Sequence, residues 1–252
     1  MYIIIFFLGL ALGSFLNSWI WRTRENIKIG SGRSMCPVCM RQLTWSENIP
    51  VFSYLFLRGR CRTCKNLIPK HFIFVEAATP FIFMLVAWQN LSSQTLVPAL
   101  FFRDIIFSIL LIIIFVYDWL YQEILPSVIL VGVVAGLLFN IYLHVSPASM
   151  LIGLLAAGGF FYLQFIISKG KWIGGGDISM GVMMGLWLGW PVVLVALFLA
   201  YVCGAIVGLA LIALGKKQLS SAVPFGTYLA LATFVVLLWG NQIINWYMNF
   251  LR

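Results

Sequence analysis

Residues 97–118 read VPALFFRDIIFSILLIIIFVYD. After Arg103 and Asp104 the stretch runs apolar, without alternation, to Tyr117, and it then delivers a carboxylate, Asp118. A half-buried strand would alternate, so the period is wrong for a sheet. The length is about the 20 residues with which an α-helix crosses the hydrocarbon core of a bilayer. The same texture recurs at 2–21, 71–88, 126–143, 148–167, 178–188, 192–214 and 227–246. The 252 residues are 62% hydrophobic and 9% charged, against about 25% charged in soluble domains. Lipid admits helical bundles and closed barrels, and barrel strands alternate. The expected fold class is all-α integral membrane, with eight transmembrane helices and both termini outside. Residues 2–21 read as the first of these rather than as a secretory signal, since no basic residue precedes them and Arg22 and Arg24 follow.

The formal net charge is +9. Ten of the sixteen Lys and Arg fall between Arg22 and Lys70, and Lys169, Lys171, Lys216 and Lys217 form two smaller groups. Eight crossings place all three groups in the cytoplasm, as the positive-inside rule asks. Membrane topology thus explains the basicity, and no nucleic-acid partner is expected.

Residues 22–71 form the extended polar stretch, too short and too rich in Gly and Pro for a large core. Domains of this size need a staple. Two Cys-x-x-Cys knuckles, Cys36–Cys39 and Cys61–Cys64, are separated by 21 residues. Such pairs read as a four-thiolate zinc site, and zinc binding supplies folding free energy to a coreless segment. Two disulfides or free thiols are the alternatives, and a reducing cytoplasm disfavours the first. Arg41, Arg60, Arg62 and Lys65 would help hold thiolates deprotonated. Four protein ligands leave no open position, so a structural Zn2+ is expected. The domain reading is 1–21 as first helix, 22–71 as zinc-binding module and 72–252 as seven-helix membrane domain. Cys203, alone in an apolar helix, reads as a small core residue.

The second notable carboxylate is Asp177, in Ile173-Gly-Gly-Gly-Asp-Ile-Ser-Met180. An ionised Asp at membrane depth costs about 2.5–3.5 kcal/mol on insertion scales. Gly174, Gly175 and Gly176 would let a substrate backbone approach closely. Asp118 is followed by Pro126, which disfavours helix at Leu125 and suits a helix start. Both aspartates therefore stand at cytoplasmic helix ends beside broken backbone. If the helices adjoin, the carboxylates share a proton: one is general base on water and the other polarises the scissile carbonyl. That is aspartic-protease chemistry with no metal and no covalent intermediate. Taken singly, Asp118 could be a wet helix end, and the pair could be a proton or ion relay in a transporter or non-catalytic zinc-containing scaffold. Glu76 reads as interfacial or facing a cavity. Arg103 and Asp104 read as interfacial or locally paired. Asn17 needs a partner on a neighbouring helix or at the border, and Gly9 and Gly13 permit close helix packing.

In order, the chain carries Gly13-Ser-Phe-Leu-Asn17, Arg22, the two knuckles with Asn48-Ile-Pro50 and Leu57-Arg-Gly-Arg-Cys61-Arg between them, Val75-Glu76, and Asp118 eight residues before Pro126. Gly174-Gly-Gly-Asp177 and Pro224-Phe-Gly226 complete the series. This series resembles the bacterial type IV prepilin peptidases, the prepilin leader peptidase/N-methyltransferase enzymes of pili and type II secretion. Gly174-Gly-Gly-Asp177 matches that family's Gly-x-Gly-Asp. The resemblance covers nearly the whole chain. It implies an aspartyl endopeptidase with Asp118 and Asp177 as the dyad, in the bacterial inner membrane with its active site toward the cytoplasm. Its substrates would be prepilins and pseudopilins, cut after a glycine, and many members then methylate the new N-terminus with S-adenosylmethionine. The N-terminal module argues against archaeal preflagellin and presenilin-like peptidases. Two positions depart from the family pattern: Ser127 where Asp is common and Ser179 where Lys is common. Neither removes a proposed catalytic carboxylate, and both bear on substrate preference and methylation. No glycine-rich strand-to-helix turn for S-adenosylmethionine is legible in the chain.

Overall fold

Gly9 and Gly13 decide how the first helix packs. In a computed structural model, which describes residues 1–30, 32–91, 97–215 and 224–251, the helix α1 (Tyr2–Arg24) lies against α3 (His71–Leu91). A β-carbon at Gly9 would sit 2.5 Å from the Pro80 Cα, and one at Gly13 would sit 3.0 Å from the Glu76 Cα. Small residues four apart thus let two backbones meet, as membrane helices do. The Asn17 amide donates to the Phe72 carbonyl at 2.8 Å, so its partner is on the neighbouring helix. These elements belong to one compact unit, Met1–Leu96.

Between α1 and α3 the chain forms a 3-10 turn (Trp45–Asn48) and a short helix, α2 (Phe52–Phe56), neither of which the sequence announced. Arg22, 4% exposed, donates to the carbonyls of Ile29 and Arg33 at 2.9 and 2.7 Å and so folds the segment after α1 back on itself. A buried guanidinium is tolerated when its donors are satisfied.

The second unit, Val97–Arg252, holds α4 (Pro98–Tyr121), α5 (Pro126–Tyr142), α6 (Pro147–Ser168), α7 (Gly175–Leu188), α8 (Val192–Ala213) and α9 (Phe225–Phe250). Its middle is α7, packed on α5, α6, α8 and α9. Gly181 and Gly185 of α7 face Ala157 and Gly153 of α6, backbone against backbone, a second pair of small residues at four-residue spacing. On its other side Trp187 stacks on Phe107 with centroids 4.0 Å apart and donates its indole N–H to the Gly132 carbonyl at 2.7 Å. Asn140, 1% exposed, donates to the Leu186 carbonyl at 2.7 Å. Met180, Met183 and Met184 fill the interior around it.

Six helices among the described residues, α1, α3, α4, α6, α8 and α9, are long and apolar enough to cross a membrane. The 17-residue α5 and the 14-residue α7 are shorter. Two helix ends differ from the sequence expectation in ways that matter. α4 runs through Asp118 to Tyr121 and breaks at Gln122, which adopts a left-handed conformation (φ 55°, ψ 39°). Pro126 restricts Leu125 alone, so Trp119, Leu120 and Tyr121 continue the helix. α7 begins at Gly175, so Asp177 is its third residue rather than the residue before it. Cys203 is half-buried on α8 and not in a core. Lys216, Lys217 and the outer-loop positions 92–94 lie outside the described residues.

Candidate active site and cysteine centre

Asp118 occupies the last turn of α4 and is 5% exposed. Its Oδ2 accepts two hydrogen bonds from Thr227, one from the backbone N–H at 2.7 Å and one from the hydroxyl at 3.0 Å. Thr227 is the third residue of α9, after Pro224, Phe225 and Gly226. Backbone N–H groups in a first helical turn lack intrahelical partners, and the Asp118 carboxylate supplies one. Asp177 stands at the equivalent place on α7. Its Oδ2 accepts the Gly174 N–H at 3.1 Å, and it is half-buried.

The two carboxylates are brought together. One side chain joins their surroundings. Ile124, in the loop after α4, is wedged between two glycines. A β-carbon at Gly176 would lie 3.0 Å from the Ile124 Cβ, and one at Gly226 would lie 2.9 Å from its Cδ1. Gly176 and Gly226 therefore let the starts of α7 and α9 converge beside Asp118. Gly175 meets nothing within 4 Å, and a β-carbon at Gly174 would be 3.8 Å from the Asp177 Oδ2, an ordinary contact. Close packing explains Gly176, and the neighbouring protein imposes no such requirement at 174 or 175. Tyr201 of α8 donates its hydroxyl to Gln164 at 2.9 Å.

The other centre lies in the first unit. The Sγ atoms of Cys36, Cys39, Cys61 and Cys64 all lie within 4.8 Å of one another, and none is in a disulfide. Four thiolates about 2.3 Å from one tetrahedral metal would be about 3.8 Å apart, and the Cys36 and Cys64 sulfurs are 3.9 Å apart. The two knuckles are copies of each other. Cys36 N–H donates to Arg41 O and Met40 N–H to Cys36 O; Cys61 N–H donates to Asn66 O and Lys65 N–H to Cys61 O. Isolated bridges Met35–Gln42 and Arg60–Leu67 close both at the same offset. Met40 (φ 55°) and Lys65 (φ 60°) are both left-handed. The backbone N–H groups of Cys64 and Thr63, against the opposing effect of burial, pull the Cys61 thiol down to about 6. The donor set fits a metal such as zinc.

Two family models match the chain. The Bacterial Peptidase A24 N-terminal domain matches residues 7–90, which include the four cysteines, and the Type IV leader peptidase family matches residues 105–209, which include both aspartates. A prepilin leader peptidase/N-methyltransferase of Pseudomonas putida is 31% identical over 94% of this chain and 90% of its own length. The chain belongs to the type IV leader peptidase family. Proteins with the same name from Bacillus subtilis (33% identical, covering 98% of this chain and 97% of theirs) and Aeromonas hydrophila (36%, covering 87% and 76%) are similar to this leader peptidase family member. No solved structure matches it.

The remaining site residue expected from the sequence, Glu76, is in the first unit of this leader peptidase. It is 9% exposed, accepts the Val51 N–H at 2.7 Å, and lines a cavity with Ser14, Asn48, Tyr54 and Cys61. Arg103 and Asp104 pair with each other at 2.9 Å. Sequence reasoning missed Thr227 and Ile124. Pro224 before a helix start was the available signal, since it places the next residues among unpartnered N–H groups.

Proposed function

We propose that this protein is an aspartyl endopeptidase that removes the leaders of type IV prepilins and pseudopilins after a glycine at the cytoplasmic face of the bacterial inner membrane. The observation that supports it best is the mutual placement of Asp118 and Asp177 at the converging ends of α4, α7 and α9. Two carboxyls in one electrostatic neighbourhood share a proton. One then activates water and the other polarises the scissile carbonyl. Gly174 and Gly175, unobstructed by neighbouring side chains, suit the approach of an extended substrate backbone. The reading takes α5 and α7 as further crossings, giving eight, with 22–71 as the cytoplasmic module and the membrane domain following it. It assigns Cys36, Cys39, Cys61 and Cys64 to a structural zinc that holds the two knuckles together. Glu76 in this reading orders the segment around Val51 and shapes the cavity beside the cysteines.

Methylation of the new N-terminus by S-adenosylmethionine is the second half of the proposal and rests on the relatives' name. The donor supplies an electrophilic methyl group. The described residues hold no strand-to-helix turn of the kind that cradles it, so no residues are assigned to it.

The test is cleavage of a purified prepilin-like peptide in detergent by wild type, Asp118→Asn and Asp177→Asn, with mass spectrometry of the product N-terminus. Loss of cleavage in both variants, with melting unchanged, supports the dyad. A product heavier by one methyl group, formed with S-adenosylmethionine, supports the second activity. Cleavage surviving either substitution removes that residue and favours a relay or scaffold role for the carboxylates.

A further inference from the structure

We propose that Thr227 is a positioning residue that keeps Asp118 as the ionised member of the pair, so that the shared proton starts on Asp177; this rests on the peptidase reading above. Asp118 Oδ2 receives two donors from one residue, at 2.7 and 3.0 Å, in a buried setting. Both partners can only donate usefully to an oxygen that accepts, and donors of this kind bind a carboxylate more strongly than a carboxylic acid. Asp177 Oδ2 accepts a single N–H at 3.1 Å, from Gly174, the residue that caps its own helix. Asp177 lies in the first turn of α7, and Asp118, in the last turn of α4, faces the first turn of α9, so each meets the N-terminal end of a helix. The number of donors, their length and their burial separate the two.

The other ionisable groups do not overturn this order. The helices packed on α4 are chiefly α5 and α9, and α7 reaches it through Trp187 on Phe107. α5 carries Tyr142 at its far end, and α9 carries Tyr228 beside Thr227 and Tyr247 near its end. On α4 itself Arg103 and Asp104 pair with each other near the opposite end, and Tyr117 stacks edge-on with Tyr121. Glu123 follows in the loop toward Ile124, and Lys169 and Lys171 precede Gly174. α7 brings Asp177, and α8 brings Tyr201, whose hydroxyl is engaged with Gln164.

With protons so placed, the roles are assigned. Asp118 takes a proton from water as the water oxygen bonds to the scissile carbonyl carbon, and Asp177 gives its proton to the carbonyl oxygen. The product is a neutral gem-diol. On collapse one hydroxyl proton returns to Asp177 as the carbonyl re-forms, the C–N bond breaks, and the proton on Asp118 moves to the leaving nitrogen. One water is consumed, and both carboxyls end as they began. Thr227 touches neither substrate nor water in this scheme. It holds Asp118 through Oδ2, the oxygen that accepts both of its donors.

The experiment is the pH dependence of kcat/KM for cleavage of a prepilin-like peptide by the full-length protein in detergent. Thr227→Val deletes the hydroxyl and keeps the N–H, Thr227→Ala makes the same deletion with less bulk should the first variant fold poorly, and Thr227→Ser restores the donor. One hydrogen bond to a charged group corresponds to about one pH unit. The expected result is that the acid limb moves up by about that much in Val and Ala and returns in Ser. An acid limb that stays in place, with both Asp→Asn variants inactive, overturns the role of Thr227 and leaves the dyad standing. A uniform fall at every pH that Ser does not rescue also overturns it, because packing alone would do that. Cleavage by Asp118→Asn or Asp177→Asn sinks the dyad reading itself, whatever the Thr227 variants do.

Discussion

Gly226 backs directly onto Asp118: a β-carbon at 226 would lie 3.0 Å from the carboxyl carbon and 2.9 Å from the Ile124 Cδ1. The glycine is what allows the first turn of α9 to reach the carboxylate with its N–H groups. Gly226→Ala should push Asp118 and Ile124 apart, at an overpacking cost of about 1–3 kcal/mol. A misplacement on the order of 1 Å in a catalytic group lowers turnover by about 10²-fold. Cleavage kinetics beside a thermal melt check this: cleavage should collapse while melting drops modestly. Gly175→Ala, which meets nothing within 4 Å, should leave melting unchanged.

Metal removal should unfold the first unit's polar segment. Elemental analysis is expected to find zinc at a ratio near one per chain, with Cys36→Ser and Cys61→Ser reducing it and exposing residues 33–67 to protease. Cys203→Ser, on α8 and outside the four-sulfur group, should retain the metal in full. Protein that keeps the segment protease-resistant without metal would remove zinc as the staple, since a segment this small has little core to replace it.

Glu47 gives the same segment an acid-sensitive tie. Burial opposes its ionised form more than any one partner favours it, but hydrogen bonds from Arg41 at 2.6 Å and from the Thr44 N–H and hydroxyl, at 2.8 Å each, together outweigh it and hold the carboxyl at about 2. The folded value is thus below the unfolded one, about 4.3. The contribution to stability is complete above about pH 4.3 and is lost as the pH falls from there toward about 2. Denaturation followed by the fluorescence of the adjacent Trp45 should lose stability through that window. Glu47→Gln should be less stable at neutral pH and flatter through the window.

Helix α7 is held by backbone contact, so its glycines are intolerant in a graded way. A β-carbon at Gly185 would strike the Gly153 carbonyl oxygen, and one at Gly181 would lie 2.6 Å from the Phe161 ring. Gly185→Val should cost several kcal/mol and abolish a cooperative melt, since neither backbone can retreat. On the neighbouring α6, Gly159→Ala, with nothing within 4 Å, should be neutral or slightly stabilising as helix propensity improves.

Glu76→Ala should loosen the loop at Val51. Val51 has a positive φ (63°, with ψ −51°), an unusual state for a β-branched residue, and its N–H is held by the Glu76 carboxylate. Without that acceptor the buried N–H costs about 1–3 kcal/mol. Faster hydrogen exchange at residues 49–56 is the readout, and Glu76→Gln, which keeps an acceptor oxygen, should recover most of the protection.

The amino-acid sequence by itself determined the membrane class, the helical texture, the four cysteines as one group and the two aspartates as the residues to watch. Each of these is a local property: the length and apolarity of a run, a ligand spacing, or a charge where lipid makes charge expensive. It also announced Gly9 and Gly13 as packing residues and Asn17 as needing a partner, because small residues at four-residue spacing and an amide in lipid have few uses. Only the tertiary structure decided what those residues meet. Asp118 belongs to a helix and not to the loop beyond it, because Pro126 acts on one neighbour and Gln122 makes the break. Thr227 reaches Asp118 across 109 residues of chain. Ile124 draws Gly176 and Gly226 together, and nothing in its neighbours marks it out. Such contacts depend on where helix ends converge, and that convergence is set by the glycine-lined packing of α7 and the free N–H groups at the start of α9. No local pattern encodes it, since each residue involved is commonplace until its distant partner is in place.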